Sequence, residues 1–281
     1  MISSLRLPAA FLLSVAMAHG HAATPAAAPT TAWVEEVPFI TTPDNVTLEM
    51  LDIAGVTAAD HVIDLGSGDG RIVVTAAKRF GASGLGVEIV PDLVRQATET
   101  ARRAGVADKT EFRVQDIFET DLSAGTVITL YLLPEFNLRL RPALLALKPG
   151  TRIVSHDWDM GDWKPDRTTT LEVPDKKIGL EKRSRVHLWR VPARVEGAWC
   201  AGARRLELTQ TFQSYRAVLK GGDTKHDWSG RIDGVSVVPP VGGPLRPSLR
   251  WSEGALVATT GVAGLPAGTR FQRAAADRCT G

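Results

Sequence analysis

Between residues 60 and 195, short apolar runs alternate with longer stretches in which apolar positions recur every three or four residues. The runs at 62–65, 84–88, 127–130 and 152–155 read as strands, 110–114 as a further strand between the second and third of these, and the stretches at 71–77, 93–104 and 137–147 as helices. Strand and helix alternating in this way predict an α/β domain built on a parallel sheet. Two more strand patterns, 168–173 and 186–191, would complete seven strands with a terminal antiparallel hairpin and close the domain near Ala193. Ahead of the first strand, Thr42 reads as a helix cap and Pro43 as the first helical residue, with Val46, Met50, Leu51 and Ile53 on the apolar face.

From Val195 onward the period changes. Short alternating runs at 206–212, 215–219, 234–238, 249–251, 256–260 and 269–272 are separated by glycine and proline turns. That pattern predicts a small all-β module, either a sandwich or a barrel. The chain thus divides into an α/β domain over 37–193 and a β module over 194–281. At the start, Arg6 precedes an apolar run at 9–18, followed by small residues that offer cleavage after Ala18 or Ala22. A signal peptide over 1–22 and a linker over 23–36 are expected, and hence export to a periplasm or beyond the cell. The run is too short to span a bilayer as a mature helix; an uncleaved leader that anchors the chain is the alternative.

Composition adds little to this picture. Basic and acidic side chains number 33 and 31, a net charge of +2, so no global field directs the chain to nucleic acid. The densest basic run, Lys176, Lys177, Lys182, Arg183 and Arg185, has no aromatic neighbours for base stacking and reads as a solvated hairpin face. The only two cysteines, Cys200 and Cys279, bracket the β module, and neither C-x-x-C nor H-E-x-x-H occurs, so no metal site is expected. In an oxidising compartment a Cys200–Cys279 disulfide would close a loop of about 80 residues and stabilise it by ~4 kcal/mol.

Candidate chemistry collects at the strand ends. The first strand runs into Asp64-Leu65-Gly66-Ser67-Gly68-Asp69-Gly70-Arg71, a glycine turn that opens a helix. Glycine permits positive φ and close approach of a ligand to the main chain, while the helix N-terminus offers free N–H groups. The spacing is G-x-G-x-G, not the G-x-G-x-x-G of dinucleotide-binding folds. Glu88 closes the second strand, where a carboxylate can receive two ribose hydroxyls. Asp116 lies just past the third, where it can accept from an adenine amino group while the next backbone N–H donates to a ring nitrogen. In an open parallel sheet these three ends line one crevice.

On these residues the chain resembles the class I S-adenosylmethionine (SAM)-dependent methyltransferases, which have a Rossmann-like seven-strand sheet. Within that class it is similar to the small protein-lysine methyltransferases of archaea and mitochondria. The closer likeness is carried by Pro38-Phe39-Ile40-Thr41-Thr42-Pro43, the turn at 64–71, and Tyr131 combined with an acidic, Trp-bearing loop after the fifth strand. The resemblance covers about 38–166. It implies S-adenosyl-L-methionine as cofactor, with Asp64 and the turn Gly66, Ser67, Gly68 and Gly70 on the methionine part, Glu88 on the ribose, and Asp116 with Ile117 on the adenine. The segment carrying Thr42 would lie over the cofactor.

The fourth strand leads into Tyr131-Leu132-Leu133-Pro134-Glu135-Phe136-Asn137. This is not the Asn/Asp-Pro-Pro-aromatic sequence of nucleic-acid amino methylases, and Tyr131 cannot supply the acidic ligand of a metal-dependent catechol-type enzyme. Tyr131 would line a channel for a lysine amine, its face also suiting a sulfonium, or else pack under the cofactor. Glu135 would orient the acceptor or simply favour the first turn of the next helix. The fifth strand runs into His156-Asp157-Trp158-Asp159-Met160-Gly161-Asp162-Trp163. Here Asp157 and Asp159 would attract a cationic substrate, with Trp158 and Trp163 packing against it; a loop pinned by two buried tryptophans is the other reading.

The expected activity is methyl transfer from SAM to a protein lysine. A small-molecule methyltransferase of the same fold and a non-catalytic exported binding protein are its rivals. SAM is made in the cytoplasm, so export implies a misread leader, a supply of SAM outside, or a site kept for another ligand.

Overall fold

The computed structural model describes residues 40–176, 181–221, 223–242, 246–262, 264–275 and 279. The expected leader and linker, Pro38, Phe39 and Lys177 lie outside them. Among the described residues no helix is long and apolar enough to cross a membrane.

The elements of the first part are α1 (Asp44–Ala54), β1 (His61–Leu65), α2 (Arg71–Phe80), β2 (Ser83–Glu88), α3 (Pro91–Ala104), β3 (Thr110–Val114), β4 (Val127–Leu130), α4 (Pro134–Leu145), β5 (Arg152–His156), β6 (Arg167–Glu172) and β7 (Arg183–Arg190). They form a seven-strand sheet in the order β3-β2-β1-β4-β5-β7-β6, parallel except for β7, which runs antiparallel to both β5 and β6. Strand order reverses between β1 and β4, so a crevice opens beyond their carboxyl ends.

The inner strands β1, β4 and β5 read as largely apolar runs because both their faces are covered, whereas the edge strands β3 and β6 are polar and mostly exposed. Val62, Val127, Val154 and Leu188 face one side, with Met50 and Leu51 of α1 and Ile72 and Ala76 of α2. Their chain neighbours Ile63, Ile128, Ile153 and Trp189 face the other, with Leu140 and Leu144 of α4. The start of α1 differs from expectation. The helix begins at Asp44 with Pro43 at the cap position, and no side chain caps it. Thr42 is buried, and its hydroxyl lies 3.3 Å from Nδ1 of His156 instead of turning back onto the helix.

The remaining strands are β8 (Gly197–Ala201), β9 (Arg204–Thr211), β10 (Ser214–Gly221), β11 (Thr224–Asp233), β12 (Ser236–Val238), β13 (Leu249–Ser252), β14 (Ala255–Ala258) and β15 (Arg270–Arg273). They close into a barrel, β10-β11-β12-β13-β14-β15-β8-β9, which resolves the choice between sandwich and barrel and leaves these strands no open edge. Trp199, Leu206, Leu208, Tyr215, Trp228, Ile232, Leu256 and Phe271 fill its interior. Two of these strands, β8 and β11, escape the sequence pattern. In β11 only Trp228 and Ile232 are buried, and between them Gly230 takes the inward position, where an added Cβ would come within 2.6 Å of the Tyr215 hydroxyl. Cys200 and Cys279 are joined in the structure, with Cα atoms 5.5 Å apart.

The barrel grips the sheet domain through the β9–β10 turn. Phe212 has φ 51, the left-handed region that a bulky residue enters only when its surroundings hold it there. Its ring stacks on Trp163 with centroids 6.1 Å apart, and Gln213 Nε2 donates to the Lys164 carbonyl at 2.7 Å. Arg231 pairs with Asp166, and Arg190 with Asp233. Trp163 is therefore fully buried between the two layers.

Candidate cofactor and acceptor site

The turn after β1 is built from backbone conformations that side chains resist. Gly66, Gly68 and Gly70 have φ of 76, 52 and 79°. Gly70 is also a point of close approach, since a Cβ there would meet Ala97 and Phe112 at 2.8 Å. The backbone N–H groups of Gly66 and Ser67 both donate to the Val87 carbonyl at 2.9 Å, which ties the turn to the end of β2. At that end, Glu88 accepts from Gly68 N through Oε2 at 3.1 Å, and from Ile89 N and Val90 N through Oε1 at 2.8 and 3.1 Å. Its carboxylate is thereby fixed at the mouth of the crevice.

Asp64 lies opposite Thr129 in the β1–β4 register, and the Thr129 hydroxyl donates to its Oδ1 at 2.6 Å. Burial pushes the Asp64 carboxyl up to about 7; the Thr129 hydrogen bond opposes this, and the charges of Glu88 and Asp69 add to it. Arg71 neutralises Asp69 and reaches the Thr42 carbonyl at 2.9 Å, holding the segment before α1 against the turn. Asp64 and Glu88 thus converge where a cationic ligand would relieve their repulsion. Ser67 Oγ is buried there with no hydrogen-bond partner. An amino acid bearing an ammonium and a sulfonium fits this donor set, with Asp64 and the turn on its ammonium end and Glu88 toward a ribose.

Asp116 is placed just past β3 but in a local role. Its Oδ1 accepts from Phe118 N at 2.8 Å, capping a single 3-10 turn, Ile117–Glu119, on which Ile117 is half-buried.

A second concavity of about 360 Å³ lies past β4 and β5, lined by Ile40, Thr41, Pro43, Tyr131, His156 and Lys176 among others. Tyr131 stacks on His156 with ring centroids 3.9 Å apart. Burial, reinforced by the Asp157 charge, pushes the Tyr131 phenol up to about 12. Burial likewise depresses the His156 imidazole to about 4, and its nitrogens lie 3.3 Å from Thr42 Oγ1 and 2.9 Å from Ser184 Oγ. Both rings are therefore neutral at pH 7 and form an aromatic wall.

The loop after β5 is only partly the rim that its sequence suggests. Asp157 faces this cavity's Lys176 at 2.7 Å, and Trp158 and Asp159 are exposed. Trp163 is not at the rim: it is core, because the barrel covers it. Glu135 is exposed in the first turn of α4. Lys176 is not a solvated hairpin cation, since its side chain is 13% exposed. Sequence reasoning also missed Asn137, whose buried amide donates to Ser155 Oγ and the Trp158 carbonyl, both at 3.2 Å, and so holds the β5 loop to α4. Its signal was a polar residue on the inward face of a helix.

Comparison with known proteins gives this site a family. Residues 64–167 match the family model of the ANTKMT methyltransferase domain. A protein-lysine N-methyltransferase of Saccharolobus islandicus is 42% identical over 142 residues, which is 50% of this chain and 88% of that protein. The adenine nucleotide translocase lysine N-methyltransferase of Mus musculus is 33% identical over 105 residues, 37% of this chain and 46% of its own length. Among solved structures, one described as an RNA methyltransferase from Salinibacter ruber, in complex with S-adenosyl-L-homocysteine, is 50% identical. The match covers 56% of this chain and 96% of that one, with a TM-score of 0.51. The chain belongs to the family of the archaeal enzyme, within the seven-strand, S-adenosylmethionine-dependent methyltransferases.

Proposed function

We propose that this methyltransferase acts on a lysine amine of a protein, and that it does so after export. The observation that carries the acceptor assignment is the Tyr131–His156 wall, with the Asp157 carboxylate beside it holding the Lys176 ammonium: an aromatic cavity at the ends of β4 and β5 that already accommodates a lysine head group. SAM, when bound, supplies an electrophilic methyl group on sulfur, and displacement is in line, so the protein has to position the acceptor nitrogen and exclude water. A lysine amine, with an ordinary pKa of about 10.4, must be neutral when it attacks, and desolvation beside the two rings favours that form. Neither ring removes the proton: the phenol is protonated and the imidazole too weakly basic. The acceptor therefore docks as an ammonium beside Asp157 and sheds its proton to solvent before it attacks the methyl group.

The related Saccharolobus and mouse proteins are named for lysine N-methylation, which supports this reading. The name of the Salinibacter protein favours RNA instead. Exposed Glu135 in the first turn of α4 and Asp159 on the loop after β5 would repel a phosphate backbone and favour a cationic protein segment. Export is supported by the Arg6-led apolar run and by a cysteine pair placed to form a disulfide.

The test supplies labelled SAM to protein, RNA and low-mass fractions of a bacterial lysate. Label should appear in protein and, after hydrolysis, as methyl-lysine; label confined to RNA or to small molecules would replace the acceptor assignment. In parallel, S-adenosylhomocysteine should bind the wild type and bind Glu88→Ala at least tenfold more weakly. A folded wild type that binds none of it would favour the non-catalytic exported binding protein.

A further inference from the structure

The basic run at 176–185 divides in the structure. Arg183 and Arg185 pair at the surface with Glu172 and Glu181, and their side chains are 61 and 51% exposed. Lys176 turns inward, where it helps to line the cavity bounded by Tyr131 and His156. Its ammonium donates to Asp157 Oδ2 at 2.7 Å and to the Arg183 carbonyl. The same carboxylate oxygen lies 3.4 Å from His156 Nε2.

Asp157 has little freedom to turn away. Its backbone sits in the left-handed region at φ 63, its N–H donates to the Arg185 carbonyl at 2.7 Å, and its Oδ1 accepts from Arg185 N at 2.9 Å. One oxygen, Oδ2, is left for a cation, and a lysine of the chain itself holds it. That lysine has the chemistry of the acceptor amine.

We propose that Lys176 is an intramolecular stand-in for the acceptor: its ammonium fills the subsite formed by Asp157 beside the Tyr131–His156 wall, and a substrate lysine must displace it to enter. The inference rests on the lysine-acceptor reading above. A tethered cation acts as a competitor at an effective concentration of ~mM, which lowers the affinity for every lysine by the same factor. Acceptors that make further contacts around the cavity then still bind at concentrations where isolated lysines do not, so the device sets an affinity threshold for entry without changing the ratio between acceptors.

The experiment titrates a minimal probe, acetyl-Ala-Lys-Ala-amide, into the full mature chain saturated with S-adenosylhomocysteine. Lys176→Met should bind the probe at least tenfold more tightly than wild type, and Lys176→Arg, which keeps a cation, should stay within about threefold of wild type. Adding Asp157→Asn to Lys176→Met should remove the gain, and a norleucine probe should show none of it. Equal or weaker binding of the lysine probe by Lys176→Met would overturn the inference alone. No binding of the probe to either wild type or Lys176→Met, with S-adenosylhomocysteine still bound, would remove both the inference and the lysine reading beneath it.

Discussion

The rings of Tyr131 and His156 lie 3.9 Å apart, centroid to centroid, with their planes inclined by 27°. They meet because β4 and β5 are adjacent and parallel, so that Tyr131, just after β4, and His156, the last residue of β5, emerge side by side. The consequence is a wall that excludes water without offering a base.

That wall predicts a difference between two substitutions. Tyr131→Phe keeps the stacked face and loses a hydroxyl that is protonated throughout the neutral range, since the phenol is pushed up to about 12. Its kcat should stay within about threefold of wild type. Tyr131→Ala admits water and should lower kcat more than about tenfold, or ~1.4 kcal/mol of barrier. Steady-state methyl transfer measures both; a Phe variant as poor as the Ala variant would assign the function to the hydroxyl.

Asp64 predicts a trade between stability and binding. Its folded pKa of about 7 stands above the ordinary 3.8, so the stability it contributes is fully present below about 3.8 and is lost as pH rises through 7. Asp64→Asn should melt at a higher temperature than wild type at pH 8, by an amount that shrinks toward pH 4; a shift of about three units bounds the effect at ~4 kcal/mol. S-adenosylhomocysteine, whose ammonium needs the ionised carboxylate, should bind wild type more tightly as pH rises through 7, and the variant weakly at every pH. His156, depressed to about 4 by burial, works in the opposite sense: its contribution is present above 6.5 and lost as pH falls. Only the difference between wild type and variant isolates Asp64. Melting curves and calorimetry at several pH values check the pair, and a variant less stable than wild type at pH 8 would contradict the account.

The Cys200–Cys279 pair links β8 to the end of the chain beyond β15. In the mature protein, unfolded without reductant, thiol titration should find no free cysteine. Reduction should destabilise the barrel by about 2–5 kcal/mol. Two titratable thiols would mean that the protein matures in a reducing compartment, and the export proposal would fall with the disulfide.

Much of the fold was legible before the structure because its signals are local. β3 and β4 occupy the predicted residues, and the helix and strand starts elsewhere shift by only a few positions. Strands buried on both faces leave an unbroken apolar run, whereas β11 is largely polar and exposed, and Gly230 interrupts what alternation it has. Thr42 shows how a long-range contact overrides a local rule: a threonine before Pro43 reads as a cap, but a histidine 114 residues away takes its hydroxyl.

By itself the sequence determined the order of elements in the α/β domain, the glycine turn, and the acids Asp64, Glu88 and Asp116 at the ends of three strands, because each follows from periodicity or from adjacency along the chain. Tertiary structure decided what surrounds them. It buried Trp163 under Phe212, turned Lys176 from a surface cation into a cavity residue, and set a neutral His156 against Tyr131. Those outcomes depend on strand order and on a barrel turn packed against the sheet domain, which bring distant residues into contact. The protonation of Asp64, His156 and Tyr131 follows chiefly from the burial that such packing creates.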